Sequence, residues 1–203
     1  MDKKVILIGF FATLFIAVVA LGTVLVSKPA EFRGTSYGEP YPVAEEFVLT
    51  RFDESRFKLS EMRGSVVLLF FGYTSCPDIC PTTLAELNIA LQGISPDQAE
   101  DVNVVFVTVD PERDDPARVQ EYVNHFNADF IGLSGTESEL AGVWNQYGIF
   151  REIVEGNSAA GYLVNHTARV TLIDRQGNLR ASFGFDTPVD DIVHDLKLVL
   201  KED

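Results

Sequence analysis

The chain has 203 residues, 46% of them hydrophobic, and a formal net charge of −14 at pH 7, which suits one globular domain with an additional segment. Residues 1–28 hold three of the 16 Lys and Arg residues and one of the 30 Asp and Glu residues, so the remainder carries a formal charge of −16. So acidic a domain argues against a nucleic-acid partner and favours a basic docking surface or a cationic cargo, although the charge also serves solubility.

The N-terminal segment, residues 1–28, is predicted to be a membrane anchor. After Lys3 and Lys4, residues 5–27 are uncharged and nearly all apolar, long enough to cross a hydrocarbon core of about 30 Å as a helix. A cleaved signal peptide would have an apolar region of about 7–15 residues followed by a small-residue cleavage site, and neither feature fits. The two lysines predict a cytoplasmic N-terminus. Because no Arg- and Ser-rich transit sequence precedes the anchor, a periplasmic domain at a bacterial inner membrane is expected.

Residues 29–43 are predicted to form a tether between the anchor and the domain. They include three prolines and two glycines and show no periodicity. The globular domain is therefore expected to span residues 44–203. It should begin with short strands at residues 46–50 and 56–59.

A buried strand, a loop and a helix follow, and together they hold both cysteines. Residues 66–71 are six consecutive apolar residues rich in β-branched and aromatic types, the pattern of a strand buried on both faces. Apolar residues then recur at roughly helical spacing, and Pro81 suits a first helical position, so a helix is expected to start near Cys80. Because the residue before a proline avoids the helical region, both thiols are expected in the loop and cap. The helix N-terminus should lower the pKa of each.

The spacing of Cys76 and Cys80 leaves several kinds of chemistry open. Three residues, Pro77-Asp78-Ile79, separate them, one more than in the Cys-x-x-Cys redox motif of thioredoxins. The wider spacing still allows a disulfide, and it also lets two sulfurs point at one ion. The pair is therefore interpreted as a metal or redox site, with a purely stabilising disulfide as the alternative.

A second apolar strand is predicted at residues 102–109, giving a βαβ unit with a parallel pair and a right-handed crossover. Asp110-Pro111-Glu112-Arg113-Asp114 comes directly after it, at the carboxyl end of the strand, where ligands of open α/β sheets gather. Asp114 or Asp115 is expected to cap the helix near Pro116. Asp110 is then the better functional candidate of this run.

The remaining elements are predicted from their apolar patterns. Helical stripes cover residues 119–126, 140–147 and 189–200. Strands at residues 168–173 and 179–185 are expected to form a hairpin across a turn that contains Gly177.

The three histidines differ in their setting. His125 lies near a helix end and His194 on the polar side of the last helix, so neither is an attractive ligand. His166 ends a long segment that starts at Gly148 and includes the small-residue run at residues 156–161. Long irregular segments in compact domains are often functional, although a surface loop histidine is the alternative.

Three separated motifs resemble the SCO/SenC family of membrane-anchored copper-binding proteins that serve cytochrome c oxidase assembly. They are FFGYTSCPDICPTTLAEL at residues 70–87, DPERD at residues 110–114 and YLVNH at residues 162–166. The motifs occur in the family's order, and the likeness covers residues from about 45 to 200. The resemblance implies a thioredoxin-like α/β domain, with a central mixed sheet flanked by helices. It also implies one copper ion bound through the two motif cysteines and His166.

The same resemblance implies partners. The client would be the copper-bearing subunit of a haem–copper oxidase, and a thioredoxin-like reductant and another copper carrier would serve the cysteines. Asp78 and Asp110 are candidates for positions beside the ligands or for contacts with a partner. Asn165 stands where an acidic residue is expected in many relatives.

Copper fits the ligand types that the resemblance implies. Two soft thiolates and one imidazole suit Cu(I), and the same set holds Cu(II) once a fourth ligand is added. A structural zinc site normally has four protein ligands, and this chain has no second pair of cysteines. A three-ligand site beside a long loop suits delivery, so the sequence predicts a copper metallochaperone.

A membrane-tethered thiol–disulfide oxidoreductase is the second hypothesis, with the cysteines of the copper centre or of another periplasmic protein as its substrate. Thioredoxin-type enzymes place a cis-proline before the strand that faces the motif, and here no proline occurs between Pro116 and Pro188. A thiol peroxidase, the third hypothesis, would need a Thr-x-x-Cys motif that the chain lacks. A reductase activity can coexist with copper handling, because both use the same two thiols.

Overall fold

The structure is a computed structural model that describes residues 31–158 and 161–202. The predicted anchor, residues 1–28, lies outside this described part of the chain. Across the two described ranges, no helix is both long enough and apolar enough to cross a membrane.

The elements alternate between strands and helices through most of the domain. A short 3₁₀ helix at Leu59–Met62 precedes the central strand. In chain order the strands and α-helices are β1 (Thr35–Ser36), β2 (Val48–Thr50), β3 (Arg56–Lys58), β4 (Val66–Gly72), α1 (Ile79–Gln92), α2 (Pro96–Glu100), β5 (Val102–Thr108), α3 (Pro116–Asn124), β6 (Ile131–Leu133), α4 (Glu137–Gln146), β7 (Arg151–Ser158), β8 (Gly161–His166), β9 (Arg169–Ile173), β10 (Leu179–Gly184) and α5 (Val189–Val199).

One mixed sheet of six strands organises the domain, in the order β1-β10-β9-β4-β5-β6. β4 pairs in parallel with β5, and β5 with β6, which confirms the predicted βαβ unit. β9 runs antiparallel to β4 and forms the predicted hairpin with β10. This mixed sheet flanked by helices is the expected thioredoxin-like arrangement.

The central strand β4 is the middle of the core. All seven of its residues are buried, as the apolar run predicts for a strand covered on both faces. Phe70 of β4 meets Phe106 of β5 edge to face, with ring centroids 5.8 Å apart. Burial of a side chain of this size contributes about 1.5–3 kcal/mol relative to its exposure, so the loop that leaves β4 starts from a firmly held position.

Most of the segment predicted as a tether lies in the same compact unit as the domain, because this unit includes the residues from Phe32 onward. β1 pairs with the edge of β10. The backbone amides of Arg33 and Gly34 donate to the carboxylate of Asp195 in α5, at 2.9 and 2.8 Å. These contacts use backbone groups of the segment, so they leave no apolar periodicity in its sequence.

Asp195→Ala should lower the free energy of unfolding by about 2–3 kcal/mol, because it leaves two backbone amides near the domain surface without their charged acceptor. A urea titration of the full-length protein in detergent measures this change. The matched control is Asp191→Ala, which removes only a partly exposed ion pair with Arg33 and should cost less than about 1 kcal/mol. Equal effects of the two variants would contradict a specific role for Asp195.

Candidate metal centre

The two cysteines lie just beyond the carboxyl end of β4. α1 begins at Ile79 with Asp78 as its N-cap residue, so Cys76 lies in the loop and Cys80 in the first helical turn. The prediction of a helix start near Cys80 is confirmed, whereas the expectation that both thiols precede the helix is right only for Cys76. Pro81 still falls within the first turn, where its missing N–H removes no intrahelical hydrogen bond, so the helix can begin before it.

Gly72, the last residue of β4, allows α1 to approach the sheet closely. A Cβ atom at this position would lie 2.9 Å from Sγ of Cys80 and 2.7 Å from the ring of Phe106. Both distances are shorter than van der Waals contact, so a larger residue would push the thiol away. Cys80 is fully buried against this glycine, whereas Cys76 is half-buried.

The two cysteines are free thiols, and they are electrostatically unequal. A hydrogen bond with Cys80 and a weaker effect of the His166 side chain lower the pKa of Cys76 to about 4, against the opposing effect of burial. The hydrogen bond with Cys76 and then burial raise the pKa of Cys80. The expectation of two lowered values is therefore wrong for Cys80, because the buried thiol keeps the proton that stabilises its partner's thiolate.

His166 reaches the thiols from a distant part of the chain. It ends β8, which pairs antiparallel with β7, so the segment after Gly148 that was expected to be irregular is largely a hairpin. Residues 159 and 160, within the small-residue run, lie outside the described part. The alternation of apolar and polar residues in β7 and β8 is weak, and this is why the sequence interpretation missed both strands.

The imidazole of His166 is oriented towards the thiols. Its Nε2 atom lies 3.7 Å from Sγ of Cys80, and its Nδ1 atom lies 3.1 Å from the carbonyl oxygen of Thr167. Because a carbonyl oxygen can only accept, Nδ1 carries a proton in this arrangement, and Nε2 is the nitrogen that faces the thiols. The ring of Tyr73 packs edge to face on the imidazole, with centroids 5.8 Å apart, and restrains it from the other side.

The spacing of sulfur and nitrogen fits a bound metal ion. An ion about 2.3 Å from a thiolate sulfur and about 2.0 Å from an imidazole nitrogen, at a trigonal angle, separates these two donors by about 3.7 Å. Within residues 31–158 and 161–202, however, no three His, Cys, Asp or Glu side chains are gathered closely enough to form a ready-made metal site.

Asp114 holds the cysteine loop, a role that the sequence interpretation missed. The carboxylate is buried and accepts hydrogen bonds from the amide and hydroxyl of Thr74, at 2.9 and 2.6 Å, and from the hydroxyl of Thr108 at 2.7 Å. Burial raises the pKa of Asp114, although these hydrogen bonds oppose the change. Asp115 is the cap of α3 and accepts from the amide of Arg118. The sequence did contain a signal for this role: Asp114 and Asp115 are adjacent, and only one of them can cap α3.

The other two acidic candidates have different surroundings. Asp110 is fully buried, and its carboxylate is engaged by the guanidinium of Arg113 and the hydroxyl of Tyr162. Asp78 is exposed and lines a cleft of about 410 Å³ together with Cys76 and His166. Asp110 thus belongs to the support of the site, and Asp78 to its open side.

The remaining histidines have structural contacts. His125 is the C-cap residue of α3, with Nδ1 2.8 Å from the carbonyl oxygen of Glu121. Nδ1 of His194 lies 2.9 Å from the carboxylate of Asp195. Each imidazole thus contacts a residue of its own helix.

Comparisons with known proteins agree on one family. The family model described as SCO1/SenC matches residues 35–201. The SCO2-like protein of Rickettsia felis is 33% identical over 202 residues, which cover 97% of this chain and 98% of that protein. Among solved structures, apo Sco1 from Thermus thermophilus has a TM-score of 0.74 and 36% identity over 85% of this chain and 99% of its own. Bradyrhizobium japonicum ScoI with copper bound has a TM-score of 0.69 and 34% identity, over 77% and 99%.

Iodoacetamide should alkylate Cys76 in preference to Cys80, at a rate that changes little between about pH 8 and pH 5. A thiol whose pKa is about 4 stays ionised above that pH, so the rate should fall only as the pH drops through about 4. Peptide mass spectrometry of the reduced full-length protein measures both labels. In the control variant Cys76→Ser, Cys80 should react slowly throughout, because burial keeps the reagent away from it and still raises its pKa. A tenfold fall of Cys76 labelling per pH unit below about 8.5, as for an ordinary thiol, would refute the lowered pKa.

Proposed function

The chain belongs to the SCO1/SenC family, and on this premise we propose that it is a copper metallochaperone. It binds one copper ion through Cys76, Cys80 and His166. It delivers the ion to the copper-bearing subunit of cytochrome c oxidase during assembly of that enzyme. The copper-bound structure of Bradyrhizobium japonicum ScoI, similar to this chain over 99% of its length, supports copper as the cargo.

The approach of the His166 imidazole to the cysteine pair is the observation that carries the proposal. Nε2 faces Sγ of Cys80 at 3.7 Å, while Cys76 is already a thiolate at neutral pH. Cys80 must give up its proton when the ion binds, so metal uptake releases a proton. Two thiolates and one imidazole favour Cu(I), and a fourth ligand from solvent or a partner would let the site hold Cu(II).

The unequal exposure of the donors suits transfer of the ion. Cys76 and His166 line the open cleft, whereas Cys80 is enclosed beneath them. A donor atom of the client can therefore replace the accessible ligands first, while Cys80 still holds the ion. Asp78, exposed on the rim of the same cleft, is the residue placed to contact the client or a copper carrier.

A thiol–disulfide exchange activity is the second candidate, favoured by the lowered pKa of Cys76. The Cys76 thiolate would attack a disulfide of the client and form a mixed disulfide. Cys80 would then displace the client sulfur and pass its proton to it. The client gains two electrons and becomes a dithiol once its other sulfur, released as a thiolate in the first step, takes a proton from solvent. Cys76 and Cys80 become a disulfide that a thioredoxin-like reductant must reduce.

We also place the domain on the periplasmic side of the bacterial inner membrane, held by residues 1–28. The apolar length of this segment and its two N-terminal lysines support that placement. Thiols can oxidise in this compartment, so the cysteine pair needs its reductant before it takes up copper.

The mature protein should keep residues 1–28 and stay in the membrane fraction after a high-salt wash, because a spanning helix does not depend on charge contacts. Fractionation with N-terminal sequencing of the native protein measures both properties. Release by salt, or an N-terminus near Pro29, would overturn the anchor.

His166→Ala separates copper delivery from thiol exchange. Loss of the imidazole should weaken copper binding by the full-length protein at least about 10-fold, while Cys76 and Cys80 still cycle between dithiol and disulfide. Cells with this variant should lose oxidase activity about as fully as cells with both cysteines changed to Ser. The matched control is His125→Ala, which removes an exposed imidazole at the end of α3 and should leave copper binding and oxidase activity unchanged.

Copper stoichiometry and oxidase assembly together decide the outcome. The reduced wild-type protein should bind one copper per chain, and either Cys76→Ser or Cys80→Ser should abolish this binding. Near-normal oxidase activity with His166→Ala at equal protein levels would leave the reductase as the main function. Two tightly bound coppers per chain would contradict the three-donor site.

A further inference from the structure

The position of His166 depends on how the hairpin β7–β8 is held against the domain. β7 and β8 form a sheet of two strands, separate from the six-stranded sheet. A two-stranded hairpin is at best marginally stable in water by itself. Its contacts with the rest of the domain must therefore set the distance between the imidazole and the thiols.

Tyr162, four residues before His166 on β8, carries one group of these contacts. Its hydroxyl donates to the carboxylate of Asp110 at 2.7 Å. Its carbonyl oxygen accepts from the guanidinium of Arg113 at 2.9 Å. The same guanidinium lies over the Tyr162 ring, 3.7 Å from its centroid, so one residue of the strand is held by its backbone, its ring and its hydroxyl.

Arg113 links this strand to the aromatic residue that packs on His166. Its guanidinium also lies 5.7 Å from the ring centroid of Tyr73, the residue that contacts the imidazole edge to face. An ion pair with the fully buried Asp110 fixes the orientation of Arg113. Arg113 therefore lies between Tyr162 and Tyr73, and both of these residues constrain His166.

The other strand of the hairpin is held at the neighbouring position of the domain. Arg151, the first residue of β7, donates through Nε to the carbonyl oxygen of Val109 and lies over the ring of Trp144, 4.8 Å from its centroid. Val109 and Asp110 are consecutive residues at the end of β5. Both strands of the hairpin are thus attached to consecutive residues that directly follow β5. Movement of the hairpin relative to these residues is opposed mainly by the Asp110–Arg113–Tyr162 contacts.

We propose that Arg113, together with Asp110 and Tyr162, is a positioning residue for copper binding: these contacts hold the Nε2 atom of His166 within reach of the two thiols. The inference rests on the proposed copper site. Arg113 does not need to touch the ion, because it acts through Tyr162 and Tyr73. The DPERD motif thereby helps to position the distant His166. Asp110, its first residue, does so from a fully buried position.

The sharpest test removes single groups and measures Cu(I) affinity of the full-length protein by chelator competition. Tyr162→Phe deletes only the hydroxyl that binds Asp110, and Arg113→Lys removes the planar group that contacts both rings. Residues that orient metal ligands typically change metal affinity about 10- to 100-fold, so we expect about 10-fold for Tyr162→Phe and more for Arg113→Lys. Tyr147→Phe is the matched control, because it deletes a hydroxyl bonded to the carbonyl oxygen of Glu45 and should leave affinity unchanged.

Repeating both changes in the His166→Ala background separates positioning from a general loss of structure. If the Asp110–Arg113–Tyr162 contacts act through the imidazole, neither change should lower copper affinity further once the imidazole is gone. Equal losses in both backgrounds would overturn the proposal, because the residues would then be acting on the thiols or on the whole fold.

A readout on the metal-free protein keeps this inference independent of the copper proposal. Hydrogen exchange should speed up in β8 with Arg113→Lys, while β4 amides keep their wild-type rates. Failure of the wild-type protein to bind copper would sink the proposed function without changing this result. Unchanged exchange in β8 would refute the positioning role of Arg113, whatever the copper affinity.

Discussion

The parallel pairing of β4 with β5 is the constraint on which the candidate site depends. Gly72 at the end of β4 is paired with Thr108 at the end of β5, so the segments that leave the two strands start side by side. Asp114 in one segment can therefore bind Thr74 in the other, and Asp110 can support the hairpin that carries His166. A register shift of one residue would turn every side chain of a strand to the opposite face and separate these partners.

The two thiols differ because only one of them is enclosed by the fold. Gly72 lets Cys80 sit in the core, where loss of its proton is costly, while Cys76 stays beside an open cleft. Each thiol then alters the other: the proton retained by Cys80 supports the charge on Cys76. Cys76 is thus a thiolate that is ready to react. Cys80 is a thiol whose sulfur becomes available only when its proton is exchanged for a metal ion or a disulfide bond. This asymmetry serves metal uptake and thiol exchange equally well, and the histidine is what distinguishes them.

The sequence predicts those parts of the molecule that depend on apolar patterns and motifs. The run at residues 66–71 predicts a doubly covered strand, and β4 is buried throughout. The motifs indicate Cys76, Cys80 and His166, which the structure brings towards one another. Patterns could not reveal the docking of residues 32–43, because backbone amides bound to Asp195 make those contacts. Nor could they give the unequal pKa values, which arise from the hydrogen bond between the two sulfurs and from the burial of one of them behind a glycine. The hairpin escaped prediction because most of its described side chains are exposed, and the contacts of Arg113 and Arg151 leave no regular apolar pattern in the sequence.

Because β1 pairs with β10, a very short strand forms this edge of the six-stranded sheet. β1 adds only two residues beside β10, and β6 at the opposite edge has three. Edges as short as these leave few unpaired backbone groups on which another chain could add a strand. The domain is therefore a poor template for the addition of a strand from another chain, and edge-to-edge aggregation is disfavoured.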